Sequence, residues 1–374
     1  MICRKDTILN PWVNGIAELG VRVHRHDLTR PGDYVSVRRL MRASDVVHLV
    51  LAYPTGKYQL TAALLASTAR RPLIVTHQLV VDVRDIAMSA ARRAFWQRAF
   101  SLYARLARTN IATSRAGWDL LIRRYRFAEA STVLIYNGAD LAMFTPLNGS
   151  DRRSVRDSIA ADIATNNPPP LAGEGRVGAR NSPPPLAGEG TVGAWPEDVL
   201  LSCTVARLTP QKGLFDLVEA AAEVVPRLPN VRFVLAGDGE LRAQLEARVA
   251  ALGLTRQVRF AGSRPLAVLA RWLGAADLFL LSSHYEGMPL AMIEAMAAGC
   301  PVVATAVGGI PDVIADSNGG RVVPAKNPHA LAAAIVEILG DPEKRRTMAA
   351  AARQRAMSAF DVRICYQKTV ETYE

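Results

Sequence analysis

Short apolar runs alternate with longer stretches of helical periodicity along most of this chain. In the first 150 residues the apolar runs cover 45–51, 72–76, 109–113 and 132–136, with helical patterns over 60–68 and 90–106. From residue 199 onward the runs cover 199–204, 231–236, 258–260, 278–281 and 301–305. Helical patterns follow them at 214–225, 240–252, 266–273, 290–298 and 328–339. The runs are apolar at consecutive positions, which predicts strands buried on both faces and therefore parallel sheets covered by helices. The pattern predicts an α/β chain of two Rossmann-like, doubly wound domains facing a central cleft. In such sheets a ligand lies at the carboxyl ends of the strands.

One segment breaks the alternation. Pro168 begins PPPLAGEGRVGA and Pro183 begins PPPLAGEGTVGA, two copies 15 residues apart that differ only at Arg176 and Thr191. Proline and glycine dominate both copies, so the segment reads as an extended, mobile tract separating the domains. It sets the predicted boundaries: a first domain over 1–150, a linker over 151–198 and a second domain over 199–357.

Composition changes this picture in two places. The 374 residues carry a net charge of +11, and the first 150 residues, with 21 basic and 10 acidic side chains, hold that whole excess. Arg92, Arg93, Phe95, Trp96, Arg98, Phe100, Tyr103, Arg105 and Arg108 make the 90–106 helix both basic and aromatic. Such a helix either lies on an anionic membrane or packs as an ordinary surface helix. No recognised motif accompanies the charge, which argues against nucleic acid as a partner. The four cysteines, Cys3, Cys203, Cys300 and Cys365, are far apart, and no uncharged apolar run is long enough for a transmembrane helix. These features predict a cytoplasmic protein with a possible peripheral site on the inner membrane face.

Four features of the second half converge on strand ends. Arg207, Lys212 and Gly213 follow the strand at 199–204 and precede a helix. A guanidinium fork, an ammonium and helix amides together suit a diphosphate. Gly237 and Gly239 flank Asp238 after the strand at 231–236, where missing side chains permit close backbone approach. Glu286 and Glu294 lie eight residues apart in Glu-Gly-Met-Pro-Leu-Ala-Met-Ile-Glu. Glu286 falls in a loop and Glu294 one turn into a helix that is apolar almost all round, so Glu294 needs a partner or a ligand. Gly308 and Gly309, before Pro311, offer backbone amides to an anion. No GxGxxG is present, which counts against a dinucleotide dehydrogenase.

With these motifs in view, residues 199–361 resemble the second domain of the retaining glycosyltransferases of family 4, which have the GT-B fold. The resemblance rests on Arg207…Lys212-Gly213, the Gly-Asp-Gly turn, Glu286…Glu294 with its continuation to Ala304, and Gly308–Asp312. In the first half Thr76-His77, Ile111–Ser114 and Asn137-Gly138-Ala139-Asp140 resemble the family more loosely. The resemblance implies that Arg207 and Lys212 hold the donor diphosphate and that Glu294 holds the nucleotide ribose. Glu286 would contact the donor sugar with the backbone of Gly287, Met288, Pro289 and Leu290 beside it, and Gly213 and Gly237 would also line the donor site. His77 would stabilise the reacting centre. It further implies a helix over 358–374 crossing back to the first domain, and transfer of a sugar from a nucleotide-sugar to a glycan or lipid-linked acceptor in cell-surface polysaccharide synthesis. No cofactor and no metal are implied, and no D-x-D triplet occurs.

The start of the chain departs from this pattern. Met1–Pro11 does not read as the family's first strand and glycine-rich loop, so a truncated copy with impaired activity is expected. That leaves two alternatives to the transferase: a non-catalytic nucleotide-sugar-binding remnant, and an epimerase acting on a nucleotide-sugar.

Overall fold

The structure, a computed structural model, describes residues 2–3, 24–25, 31–51, 57–80, 82, 89–166, 195–314 and 317–374. The proline- and glycine-rich repeat therefore lies outside the described residues. The first half contains strands β1 (Ile2–Cys3), β2 (His24–Arg25), β3 (Val47–Leu51), β4 (Leu73–His77), β5 (Thr109–Ala112) and β6 (Thr132–Leu134). Its helices are α1 (Pro31–Ala43), α2 (Lys57–Ala69), α3 (Ala90–Leu106), α4 (Arg115–Asp119) and α5 (Gly149–Asn166). β3-β4-β5-β6 form a parallel sheet in sequence order, and β1 pairs in parallel with β2. A strand thus occurs at the start of the chain, where the sequence predicts none. Two residues flanked by Arg4, Lys5 and Asp6 are too short to produce a periodic signal.

The second half continues with β7 (Leu200–Val205), α6 (Leu214–Val224), β8 (Val231–Ala236), α7 (Arg242–Ala251), β9 (Val258–Gly262), α8 (Leu266–Ala275) and β10 (Leu278–Leu281). Then come α9 (Leu290–Ala297), β11 (Val302–Thr305), α10 (Ile310–Ile314), β12 (Gly320–Val323), α11 (Pro328–Leu339), α12 (Pro342–Ala359) and α13 (Val362–Glu371). The six strands are parallel in the order β12-β11-β10-β7-β8-β9. The chain winds outward from β7 through β8 to β9, then crosses to the other side of β7 and winds outward again through β10 to β12. The order reverses between β7 and β10, and a ligand crevice opens at such a point outside the carboxyl ends. Leu278, Phe279, Leu280 and Leu281 are all buried, as are Val302–Thr305, so these strands are covered on both faces as the consecutive apolar runs require.

One segment differs from the predicted boundaries. Residues 149–166, mostly assigned to the linker, form α5 and belong to the second domain. Val155, Ile159 and Ile163 repeat at a four-residue spacing, and all three are buried in that domain's core. Arg152 and Arg156 converge from α5 on Asp277, at 2.7 and 2.6 Å, and Asp277 also accepts from the Leu201 amide. At the other end, α13 leaves the second domain and packs on the first. Cys365 joins Ile74, Ile111 and Ile135, and Tyr373 OH meets His48 Nδ1 at 2.8 Å. His48 Nε2 meets Thr76 Oγ1 at 2.7 Å, and burial lowers the imidazole pKa to about 4.

The basic and aromatic α3 is an ordinary packed helix as far as its aromatic residues go. Trp96, Phe100 and Tyr103 point inward, where the Phe100 ring stacks on Tyr125 with centroids 4.0 Å apart. Only Phe95 of these aromatic residues is exposed, beside the exposed Arg92, Arg98 and Arg105. No described helix is long and apolar enough to cross a membrane.

Asp277 is the shared acceptor of two half-buried cations and a strand amide, so its removal strands all three. We expect Asp277→Ala to lower unfolding stability by about 3 kcal/mol in urea titration.

Candidate functional site

The loops that leave β7 and β10 emerge on either side of the point where the strand order reverses. After β7 the chain passes Arg207, which is exposed, and reaches Lys212 at the end of a short turn. Gly213 then adopts φ +57°, in the left-handed region, and starts α6. A Cβ on Gly213 would lie 2.1 Å from the Ser282 carbonyl oxygen, so only glycine lets the two loops meet this closely. After β10 come the buried Ser282 and Ser283, then Glu286. Lys212 Nζ stands 2.6 Å from Glu286 Oε1, and Ser283 Oγ donates to the same oxygen at 2.7 Å. The pair is almost wholly buried: the side chains of Lys212 and Glu286 are 17% and 7% exposed. Removing two charges from water is costly, and direct contact plus the serine hydroxyl offsets that cost.

Glu294 sits on α9, whose buried face consists of Met292, Ile293, Ala295, Met296 and Ala297. Its carboxylate accepts no hydrogen bond from the described residues and has no cation beside it. Burial alone raises its pKa to about 7. Lys212 and Glu286 are thus paired, while Glu294, on the helix that follows, has no partner among the described residues. Of the residues between the two carboxylates, Met288 and Pro289 are buried and Leu290 is partly buried. The amides of Gly287 and Met288 have no acceptor among the described residues.

The glycines predicted to approach a ligand approach protein backbone instead. A Cβ on Gly237 would lie 1.9 Å from the Ala206 carbonyl oxygen, and one on Gly239 would lie 2.5 Å from that of Leu208. The Gly-Asp-Gly turn thus supports the loop that presents Arg207. The Gly309 amide is not free for an anion either. Gly309 N–H donates to the Gly287 carbonyl at 2.7 Å, and Gly308, at φ +54°, packs on the Glu286 carbonyl. This turn locks the Glu286 loop in place from behind.

The same two loops reach the first domain. A Cβ on Gly287 would lie 2.1 Å from the Gln78 carbonyl oxygen, and one on Gly309 would lie 2.9 Å from Ser114 Cβ. Asp312 Oδ2 accepts from the Arg115 amide across the interface at 2.6 Å. His77, predicted at this cleft, is not there. It is 2% exposed, its Nε2 meets Asn110 Oδ1 at 3.1 Å, and Phe100, Tyr103 and Phe127 surround its ring. Burial lowers its pKa to about 4, with the Asn110 contact opposing. The reason is strand alternation. Leu73, Val75 and His77 face α3, while Ile74 and Thr76 face α13. Gln78, the next residue, stands at the cleft, with its side-chain oxygen accepting from Asn137 at 2.6 Å.

Sequence reasoning missed Gln78, Asp312, Ser283, Asp216 and His284. Their signal is only their position next to strand ends already marked by Lys212, Glu286 and Gly309.

Comparison with known proteins places this geometry. Residues 191–355 match the model of the family described as Glycosyl transferases group 1. The chain is 31% identical over 258 residues to the D-inositol 3-phosphate glycosyltransferase of Streptomyces griseus, covering 66% of this chain and 50% of that one. It is 33% identical over 177 residues to the amylovoran biosynthesis glycosyltransferase AmsK of Erwinia amylovora, covering 46% and 44%. The chain thus spans about half the length of these curated relatives. The crystal structure of Anabaena HepE in complex with UDP superposes with a TM-score of 0.74 at 22% identity, over 97% of this chain and 89% of that one. The fold is GT-B: two parallel-sheet domains facing one another.

Glu294 also predicts a pH effect. Its folded pKa of about 7 lies above the unfolded value near 4.5, so the folded state holds the proton more tightly. The resulting stabilisation is full below pH 4.5 and is lost as pH rises through 7. Glu294→Gln should therefore be the more stable protein at pH 8, by on the order of 2 kcal/mol, with the gap closing toward pH 4.5. Thermal unfolding of both proteins across that range checks it.

Proposed function

We propose that this chain is a glycosyltransferase that takes its sugar from a nucleotide-sugar, and that its second domain is the donor site. The single observation that carries the proposal is the Lys212–Glu286 pair at the strand-order reversal, followed on the next helix by Glu294, which has no partner among the described residues. Glu294 is partly buried and has no partner among the described residues, and a ligand that brings hydroxyl donors would stabilise it. The partly buried Lys212 ammonium, beside Glu286, suits a diphosphate. The UDP-bound and UDP-glucose-bound crystal structures of Anabaena HepE support the donor class. AmsK supports a place in polysaccharide synthesis.

In this reading the family is family 4 and the anomeric configuration is retained. Arg207 and Lys212 neutralise the leaving diphosphate, and Glu294 receives the ribose hydroxyls. Glu286, released from Lys212, receives hydroxyls of the donor sugar, with the Gly287 and Met288 amides alongside. The acceptor is a glycan or a lipid-linked glycan. Its hydroxyl oxygen attacks the anomeric carbon from the face the diphosphate leaves. The carbon–oxygen bond to the diphosphate breaks, and the hydroxyl proton passes to the departing phosphate oxygen. Cationic side chains do the work of charge neutralisation, with no metal required. The exposed Arg92, Arg98 and Arg105 with Phe95 give the first domain a face suited to an anionic membrane at its cytoplasmic side.

One observation favours a second reading. His77 is buried in the aromatic core rather than at the cleft. Under that reading the chain binds a nucleotide-sugar without transferring the sugar.

The test is transfer from a panel of nucleotide-sugars to a polyprenyl-linked acceptor, with release of nucleoside diphosphate as readout. Turnover by the parent chain, lost by about a thousandfold in Glu286→Ala and in Lys212→Ala, supports the transferase. Donor binding without turnover supports the second reading, and neither binding nor turnover sinks both. For the membrane face, the parent protein should sediment with anionic vesicles at low salt and stay in solution at 0.5 M salt.

A further inference from the structure

The loop after β10 carries a polar side chain that the donor reading does not use. His284 stands two residues before Glu286 and is partly buried. Its Nε2 lies 2.8 Å from Asp216 Oδ2. An ionised carboxylate only accepts, so Nε2 carries the hydrogen and donates it. Asp216 is in the first turn of α6, four residues after Lys212. The imidazole occupies the space beside Gly213, where a Cβ would come within 2.9 Å of two ring atoms.

Three more hydrogen bonds join the same two loops. Ser282 Oγ donates to the Lys212 carbonyl at 2.9 Å, the His284 amide to the Gln211 carbonyl at 2.8 Å, and Gln211 Nε2 to the Tyr285 carbonyl at 3.0 Å. Each of these ends on the 211–213 turn or on the loop's own backbone. The His284–Asp216 contact alone among them reaches past the turn to the helix behind it. It therefore ties the 282–286 loop to a rigid element, the helix to which the turn is itself bonded through the Gly213 carbonyl. That matters because a lysine ammonium rides on a flexible four-carbon stem and is aimed only as well as its backbone is held.

We propose that His284 and Asp216 form a positioning pair for the donor site. They hold the 282–286 loop against Gly213 and so fix where Lys212 and Glu286 meet the donor diphosphate. Neither residue touches the donor. The inference rests on the donor-site reading above.

Calorimetric titration of the full chain with UDP, GDP and ADP tests it, using whichever the parent protein binds best. His284→Ala should weaken binding about tenfold, and Asp216→Ala by the same factor. The double variant should be no weaker than either single one, because both changes remove one contact. His284→Gln should recover the affinity to within about twofold, since its amide can still donate to Asp216. A merely structural role would not produce that rescue in affinity. Should His284→Ala fail to fold, Asp216→Asn, which keeps shape and removes charge, should weaken binding severalfold. Unchanged affinity in the single variants, or effects that add in the double, overturns the inference alone, provided Lys212→Ala weakens binding. Failure of the parent protein to bind any of the three overturns the donor-site reading and this inference with it.

Discussion

Lys212 and Glu286 meet at 2.6 Å where the strand order of the second sheet reverses, and much of the surrounding structure exists to hold them there. The constraint is electrostatic. Neither charge would be stable in this position without the other, and Ser283 supplies the one further hydrogen bond to the same oxygen. The geometry around the pair follows from getting two backbone loops close enough. Gly213 lets the β7 loop touch the Ser282 carbonyl, and Gly308 lets the next turn touch the Glu286 carbonyl. Both glycines have positive φ, a conformation that other residues adopt at a cost. An ion pair of this kind is also a reserve: a diphosphate can take the lysine and leave the carboxylate to hydroxyl groups.

The pair is linked to the first domain by contacts with little slack. Gly287 follows Glu286 directly and lies against the Gln78 carbonyl, and Gly309 lies against Ser114. Asp312, three residues further on, accepts the Arg115 amide. Arg355 ties the same segment to the crossing chain, donating to the Asp312 carbonyl at 2.9 Å while its guanidinium lies over the Phe360 ring. The Glu286 loop is therefore coupled to the position of the first domain through backbone contacts on both sides. Side chains at Gly287 or Gly309 would push the domains apart before they touched the charged pair itself.

Both sheets were legible in the sequence because their strands are buried on both faces and so read as unbroken apolar runs. β12, Gly-Arg-Val-Val, was not, since it is an edge strand with Arg321 exposed and no such run. α5 hid behind its arginines. Its stripe of Val155, Ile159 and Ile163 was present, but the neighbouring proline- and glycine-rich repeat drew the whole of 151–198 into the linker, and the Arg152 and Arg156 partner, Asp277, lies far away in sequence. Lys212 and Glu286 could be placed after their strands, and Glu294 on the helix that follows, because each stands a few residues beyond a strongly apolar run. His77 could not, because one step of strand alternation decides whether a side chain faces the cleft or the core, and a motif of two residues does not fix that step. Gln78 and His284 were out of reach for the opposite reason: their significance comes only from neighbours distant in sequence, Gly287 and Asp216.

The measurement that bears most directly on this account is a crystal structure of the protein grown with a nucleoside diphosphate. The account predicts that Lys212 Nζ leaves Glu286 for the diphosphate oxygens and that Glu294 accepts hydrogen bonds from the ribose hydroxyls. A nucleotide bound elsewhere, or bound with the Lys212–Glu286 pair intact and Glu294 still without a partner, would contradict it.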